Sequence, residues 1–444
     1  MSSETKVVSD TSVPLYQVDD TNKLQCSTPT SSTIHLFTKS ILTSNKQQII
    51  GDLNSESTTQ QHPIEPGNIH CSRLASDLNQ ASTVYFINKS KLFKIKYELP
   101  SSEVNVWKPT KNAKLPYPLL ISDIDVTKIY QSTLDVNFQG IEIDKNRIGL
   151  TDDMGNIYIL NNTFSTSNNE EDDEETDNSS KKRKVDEKST IQCVYNNIDT
   201  IKYHVKGHTS LKFHPTNEAV IIKSTFETKN VSIFDINNQK SIFSVNTMQN
   251  PTKLHTFEIP QSNNTLLAIG EYNNVSIWDF RTNKPVNRLT RTRGIVYDMD
   301  ITTNVKCGKN NSNALLGVIG SDRTVYMYDT MKWSPIHKWQ NCLKYAPSYL
   351  SFSNINKELC YVAGFDNSEF KCGNFVDQKQ QRKGRGHGLY ADNRWIGMTK
   401  PNAQDTIVGI SMNGSLYVIE HPHRMAPNLN DLVPSTEAQD VMDE

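Results

Sequence analysis

Short runs of alternating apolar and polar residues recur along the chain. Each follows a turn and closes on a polar residue. The clearest is Ser321-Asp-Arg-Thr-Val-Tyr-Met-Tyr-Asp329. Lys229-Asn-Val-Ser-Ile-Phe-Asp235 and Asn273-Asn-Val-Ser-Ile-Trp-Asp279 repeat it, and Asp366–Gly373 and Asn413–Glu420 are weaker copies. Gly155–Asn161 and Ser90–Lys96 are two early ones. Alternation over such short runs predicts half-buried strands. A second set, Leu266–Gly270, Leu315–Gly320, Tyr361–Gly364 and Ile407–Ser411, is apolar and ends in small residues. That pattern suits fully buried strands before tight turns. No window holds a long 3.6-residue period, so helices should be few.

The closing residues of the last five copies, 235, 279, 329, 373 and 420, lie 44 to 50 positions apart. That interval is close to the roughly 40–45 residues of one four-stranded propeller blade. The longer step from 161 to 235 returns to a similar value once the polar stretch 162–190 is set aside. The long step before it points to a further insertion near residues 100–120, where Pro100, Pro109, Pro116 and Pro118 cluster. Seven markers predict seven blades. Ile34-His-Leu-Phe-Thr38 also alternates and can supply the outer strand that closes the last blade. Closure removes an exposed edge.

These residues resemble the WD40-repeat family. Trp278-Asp279 is the dipeptide that names it, and Gly207-His208 opens one repeat, followed by Phe213-His214-Pro215 and Phe234-Asp235. Gly320-Ser321-Asp322 is similar to the family's strand-turn signature. The resemblance spans residues 33–420 and implies an all-β, seven-bladed propeller with no catalytic centre of its own. Function then resides in loops and rims.

Composition changes the picture at three places. Residues 1–31, 162–190 and 424–444 are poor in core-forming side chains and are expected to be disordered. They bracket and interrupt a propeller over 32–423. The 47 basic and 49 acidic residues give a net charge of −2, so any anion-binding surface must be local. The opening Met1-Ser-Ser-Glu-Thr-Lys has no apolar run, and no stretch approaches 18 apolar residues. The seven cysteines are irregularly spaced. Together these features predict an intracellular protein with reduced thiols and no membrane span.

The search for catalytic chemistry is negative. The chain has no GxxxxGK[ST], HExxH or GxSxG. Gly384-Arg-Gly386-His-Gly388 does not open a helix after a strand, and His421-Pro-His423 lacks zinc spacing. No cofactor and no metal are expected.

Three groups of residues carry interaction chemistry. Lys181, Lys182, Arg183 and Lys184 form four consecutive cations after the acidic run Glu170–Asp177. An accessible cationic strip suits an import receptor and predicts nuclear or nucleolar localisation. Arg291 and Arg293, Lys344, and Arg382, Lys383 and Arg385 follow the markers of three successive repeats. Equivalent positions would place them on one basic face, with Arg288 and the aromatics Tyr345 and Trp395 nearby. That face would meet RNA or an acidic peptide. Trp278, Asp279 and Arg281 are similar to the motif by which some propellers dock onto the adaptor of cullin-4 ubiquitin ligases. The leading expectation is a scaffold in a nuclear RNA-processing, ribosome-assembly or chromatin complex. A cullin-type substrate receptor and the partner of an RNA-modifying enzyme are the alternatives.

Overall fold

The computed structural model describes residues 36–41, 73–77, 82–98, 123–145, 147–161, 191–195, 207–259, 264–280, 284–289, 294–307, 310–365, 367–376, 387–401 and 405–420. They form seven antiparallel sheets of four strands each, and no helix occurs among them. The chain is a seven-bladed β-propeller.

Blade 1 comprises Leu74–Ser76, Thr83–Asn88, Lys91–Glu98 and Asp123–Gln131. Blade 2 is Phe138–Asp144, Arg147–Asp152, Ile157–Asn161 and Ile191–Tyr195, and blade 3 is Thr209–Phe213, Val220–Thr225, Asn230–Asp235 and Lys240–Asn246. Blade 4 is Lys253–Ile259, Asn264–Gly270, Val275–Asp279 and Pro285–Leu289. Blade 5 is Val296–Cys307, Asn310–Gly320, Thr324–Asp329 and Pro335–Gln340. Blade 6 is Tyr349–Phe352, Leu359–Ala363, Glu369–Asn374 and His387–Tyr390. Blade 7 takes Trp395–Thr399, Thr406–Ser411 and Ser415–Glu420 from the end of the chain and Leu36–Ile41 from its start.

All seven alternating markers are third strands, and the four apolar runs are second strands. The expected closing strand is present, with bounds Leu36–Ile41 instead of Ile34–Thr38. It pairs with Ser415–Glu420 from Leu36↔Glu420 to Ile41↔Ser415. The insertions expected near 100–120 and over 162–190 both fall between a third and a fourth strand. They lie outside the described residues, as do the two terminal segments expected to be disordered.

The seven buried apolar clusters sit at the seven junctions between blades. Tyr361 and Phe370 of blade 6 pack with Trp395 and Tyr417 of blade 7. Val408 and Val418 of blade 7 pack with Phe86 and Ile95 of blade 1, which closes the ring. Both faces of each sheet are thus covered, which explains why the second strands read as unbroken apolar runs. Close approach is built in at Gly373, where a Cβ would lie 2.5 Å from the Trp339 ring of blade 5.

Adjacent strands are antiparallel, so loops sort onto two faces. Turns joining first to second and third to fourth strands leave from one face, here called the hairpin face. Turns joining second to third strands, and the links between blades, leave from the other, the crossing face. Six of the second-to-third turns place a residue with positive φ just before the third strand. These are Lys89, Gly155, Lys229, Asn273, Arg323 and Gly414.

Candidate interaction faces

The first strands line the axis, where a cavity of about 370 Å³ opens. Its wall is ionic and internally paired. Lys212 bridges to Glu142 at 2.6 Å across blades 3 and 2, and Lys253 bridges to Asp298 at 3.1 Å across blades 4 and 5. Asp298 Oδ2 accepts the Leu350 N–H at 2.9 Å, and Asp300 Oδ2 accepts the Phe352 N–H at 2.8 Å. Lys400 Nζ donates to the Phe352 carbonyl. Burial pushes the Asp300 carboxyl above its usual range and the Lys400 ammonium below its own. His255 sits in the same wall. Burial, then the nearby Lys212 and Lys253, push it down to about 3, so it is neutral. These groups fasten first strands to one another across the ring. Among the described residues, no three of His, Cys, Asp and Glu converge in a metal-holding arrangement. Burial raises the thiols of Cys360 and Cys372 and pushes Cys342 up to about 12, which leaves them poor nucleophiles.

The crossing face exposes cations beside aromatic rings. Lys344 lies between the last strand of blade 5 and the first of blade 6, and its loop is held from both sides. Its N–H donates to Glu369 Oε2 at 2.7 Å, and its carbonyl accepts from Arg323 Nη1 at 3.0 Å. Its ammonium sits 5.6 Å from the Tyr345 ring centroid. Tyr345 is 54% exposed and Tyr390 is 49% exposed on the same face. Arg394, exposed between blades 6 and 7, occupies the position in the ring equivalent to Lys344.

Of the six cations expected on one basic face, Lys344 alone lies among the described residues. Residues 290–293, with Arg291 and Arg293, lie outside the described residues but link blades 4 and 5, as Lys344 links 5 and 6. Residues 377–386, with Arg382, Lys383 and Arg385, also lie outside them, but join the third and fourth strands of blade 6. The chain leaves and re-enters there on the hairpin face. Arg288 lies in the outer strand Pro285–Leu289, not in a loop. Trp395 is 1% exposed in the core of blade 7, not a surface aromatic.

Trp278 and Asp279 are both buried at the end of a third strand. The Trp278 indole N–H donates to Ser276 Oγ at 3.0 Å, and Ser276 Oγ donates to Glu271 Oε1 at 2.6 Å. The pair is therefore fastened into blade 4. Arg281 lies outside the described residues, as do Lys181, Lys182, Arg183 and Lys184.

No family model and no curated protein matches the chain. A chain in the crystal structure of the mitotic checkpoint complex does share its fold. The TM-score is 0.51 over 79% of this chain and 89% of that one, at 12% identity. The match shows the fold, a seven-bladed β-propeller. Within it, Gly207-His208 takes a structural part, with His208 Nε2 3.2 Å from the Thr252 carbonyl of the next blade. Among the described residues, no helix is long and apolar enough to cross a membrane.

Proposed function

We propose that this propeller is a non-catalytic platform that assembles proteins in a nuclear complex, and that its crossing face around Lys344 and Tyr345 receives an acidic peptide. The supporting observation is the pinned Lys344 loop. Glu369 and Arg323 hold its backbone, while Tyr345 stands exposed beside a cation. A preorganised loop loses little entropy on binding, and exposed Tyr and Arg side chains are the residue types that dominate interface energetics. Arg394 and Tyr390 extend the same chemistry towards blade 7. Nuclear placement rests on the sequence run Lys181–Lys184.

The test is fluorescence anisotropy with a labelled Asp/Glu-rich peptide and, in parallel, a single-stranded RNA of equal charge. The peptide should bind at low salt, and a Lys344→Glu/Tyr345→Ala/Arg394→Glu variant should bind about tenfold more weakly while keeping its circular dichroism spectrum. RNA binding in place of peptide binding, or no loss in the variant, would overturn the assignment.

A further inference from the structure

The outer strands of blades 3, 4 and 5 share a device that no loop argument explains. In blade 3, Ile233 pairs with Phe243 and Phe234 with Ser241, leaving Ile242 as a bulge. In blade 4, Ile277 pairs with Asn287 and Trp278 with Pro285, leaving Val286. In blade 5, Met327 pairs with His337 and Tyr328 with Pro335, leaving Ile336. Each bulge lies opposite the same two positions near the end of the third strand, so the three sit at one level around the ring. All three side chains are exposed: Ile242 by 59%, Val286 by 53% and Ile336 by 38%. Blade 2 has a bulge at the same level, but its extra residue is Gln192. The ladder of blade 6 shows no register shift. The aliphatic row therefore spans three blades and stops.

Charge within the three outer strands has one sign. The strands Lys240–Asn246, Pro285–Leu289 and Pro335–Gln340 contain Lys240, Arg288 and Lys338, all exposed, and no acidic residue. The nearby turn carboxylates are engaged. Asp235 accepts the Asn237 and Asn238 N–H groups, and Asp329 accepts those of Met331 and Lys332.

Bulges, prolines and cations are ordinary protection for a sheet edge. They also disfavour strand addition here, because Pro285 and Pro335 have no N–H to offer. Protection does not call for an aliphatic side chain held out at each bulge. We propose that this wall is a docking surface for an acidic amphipathic helix of a partner protein, crossing the three blades at the level of the bulges. Packed sheets lie about 10 Å apart and diverge outward in a propeller. With a rise of about 1.5 Å per residue, the helix needs apolar anchors about seven or more positions apart, flanked by Asp or Glu. This surface is separate from the crossing face and stands without that assignment.

The test pans displayed random peptides of about 20 residues against the full chain. An Ile242→Glu/Val286→Glu/Ile336→Glu variant and a Lys240→Glu/Arg288→Glu/Lys338→Glu variant serve as counter-selections. All six positions are exposed, so both variants should melt with wild type; if the first does not, Ser replaces Glu at its three positions. The expected result is a class of binders that weaken about tenfold on each variant and carry acidic residues with apolar ones about seven apart. Absence of rim-dependent binders, or rim-dependent binders without acidic residues, overturns the proposal. So does a wild-type dimer in sedimentation that the first variant abolishes, because a second copy would then cover the wall.

Discussion

Asp300 and Lys400 hold the backbone of Phe352 from two neighbouring blades. The Asp300 carboxylate accepts its N–H at 2.8 Å, and the Lys400 ammonium donates to its carbonyl. Phe352 ends the short first strand of blade 6, whose inner edge has no further strand to pair with. Blades 5 and 7 supply the missing partners as side chains. Asp300→Ala should leave the Phe352 and Ile301 N–H groups without their acceptor and Lys400 with Asp405 as its remaining countercharge. The expected loss is about 3–5 kcal/mol in urea unfolding. Combining it with Lys400→Met should cost less than the two changes summed, by about 1 kcal/mol or more. Strict additivity would mean that the two residues act independently.

His255 makes the axis sensitive to acid. Its folded pKa is about 3 against an ordinary 6.5, owing to burial and then to Lys212 and Lys253. Glu142 and Asp298 face the same wall but are paired with those lysines. As pH falls below about 6.5, the unfolded chain takes up a proton that the folded chain refuses. The stability His255 contributes is full above that pH and is lost progressively on acidification towards 3. Between pH 7 and 5.5, wild type should lose about 1 kcal/mol more than His255→Gln. Parallel melting curves across this range would show that the imidazole is freely hydrated. His214 and His337 are also lowered by burial and add the same slope to both proteins.

Closure by Leu36–Ile41 has a length threshold. Removing residues 1–35 leaves the strand intact and should leave the melting temperature unchanged. Removing residues 1–41 exposes the edge of Ser415–Glu420 and should lower it by about 5 °C or more. Equal melting temperatures for the two truncations would reject the strand exchange.

Much of the ring was legible in the chain. Third strands alternate because one side chain in two meets each neighbouring blade, and Asp or Asn closes most of them at the turn. Second strands such as Leu315–Gly320 read as buried because they are covered on both faces. The outer strands were not legible. His387–Tyr390 is four residues long and does not alternate, so nothing in the sequence marks it as the strand that follows the basic run. Val286 and Ile336 alternate with Arg288 and Lys338 on the exposed side of Pro285–Leu289 and Pro335–Gln340, and only the ladder shows that each sits at a bulge. The pairs Glu142–Lys212 and Lys253–Asp298 join residues far apart in sequence, with no local pattern to announce them. Trp395 follows the exposed Arg394 directly, yet it begins a strand and is buried.

The import run is testable without reference to the fold. Replacing Lys181, Lys182, Arg183 and Lys184 with Ala should leave the melting temperature unchanged and move a fluorescent fusion from nucleus to cytoplasm. A fusion that stays nuclear would assign import to a partner or to another segment.

The platform claim is tested most directly by quantitative affinity purification. Tagged full-length wild type is compared with the folded Lys344→Glu/Tyr345→Ala/Arg394→Glu variant. The account expects wild type to recover a stoichiometric set of nuclear proteins, and the variant to lose at least one of them by about tenfold. Recovery of the same proteins in the same amounts by both would contradict it.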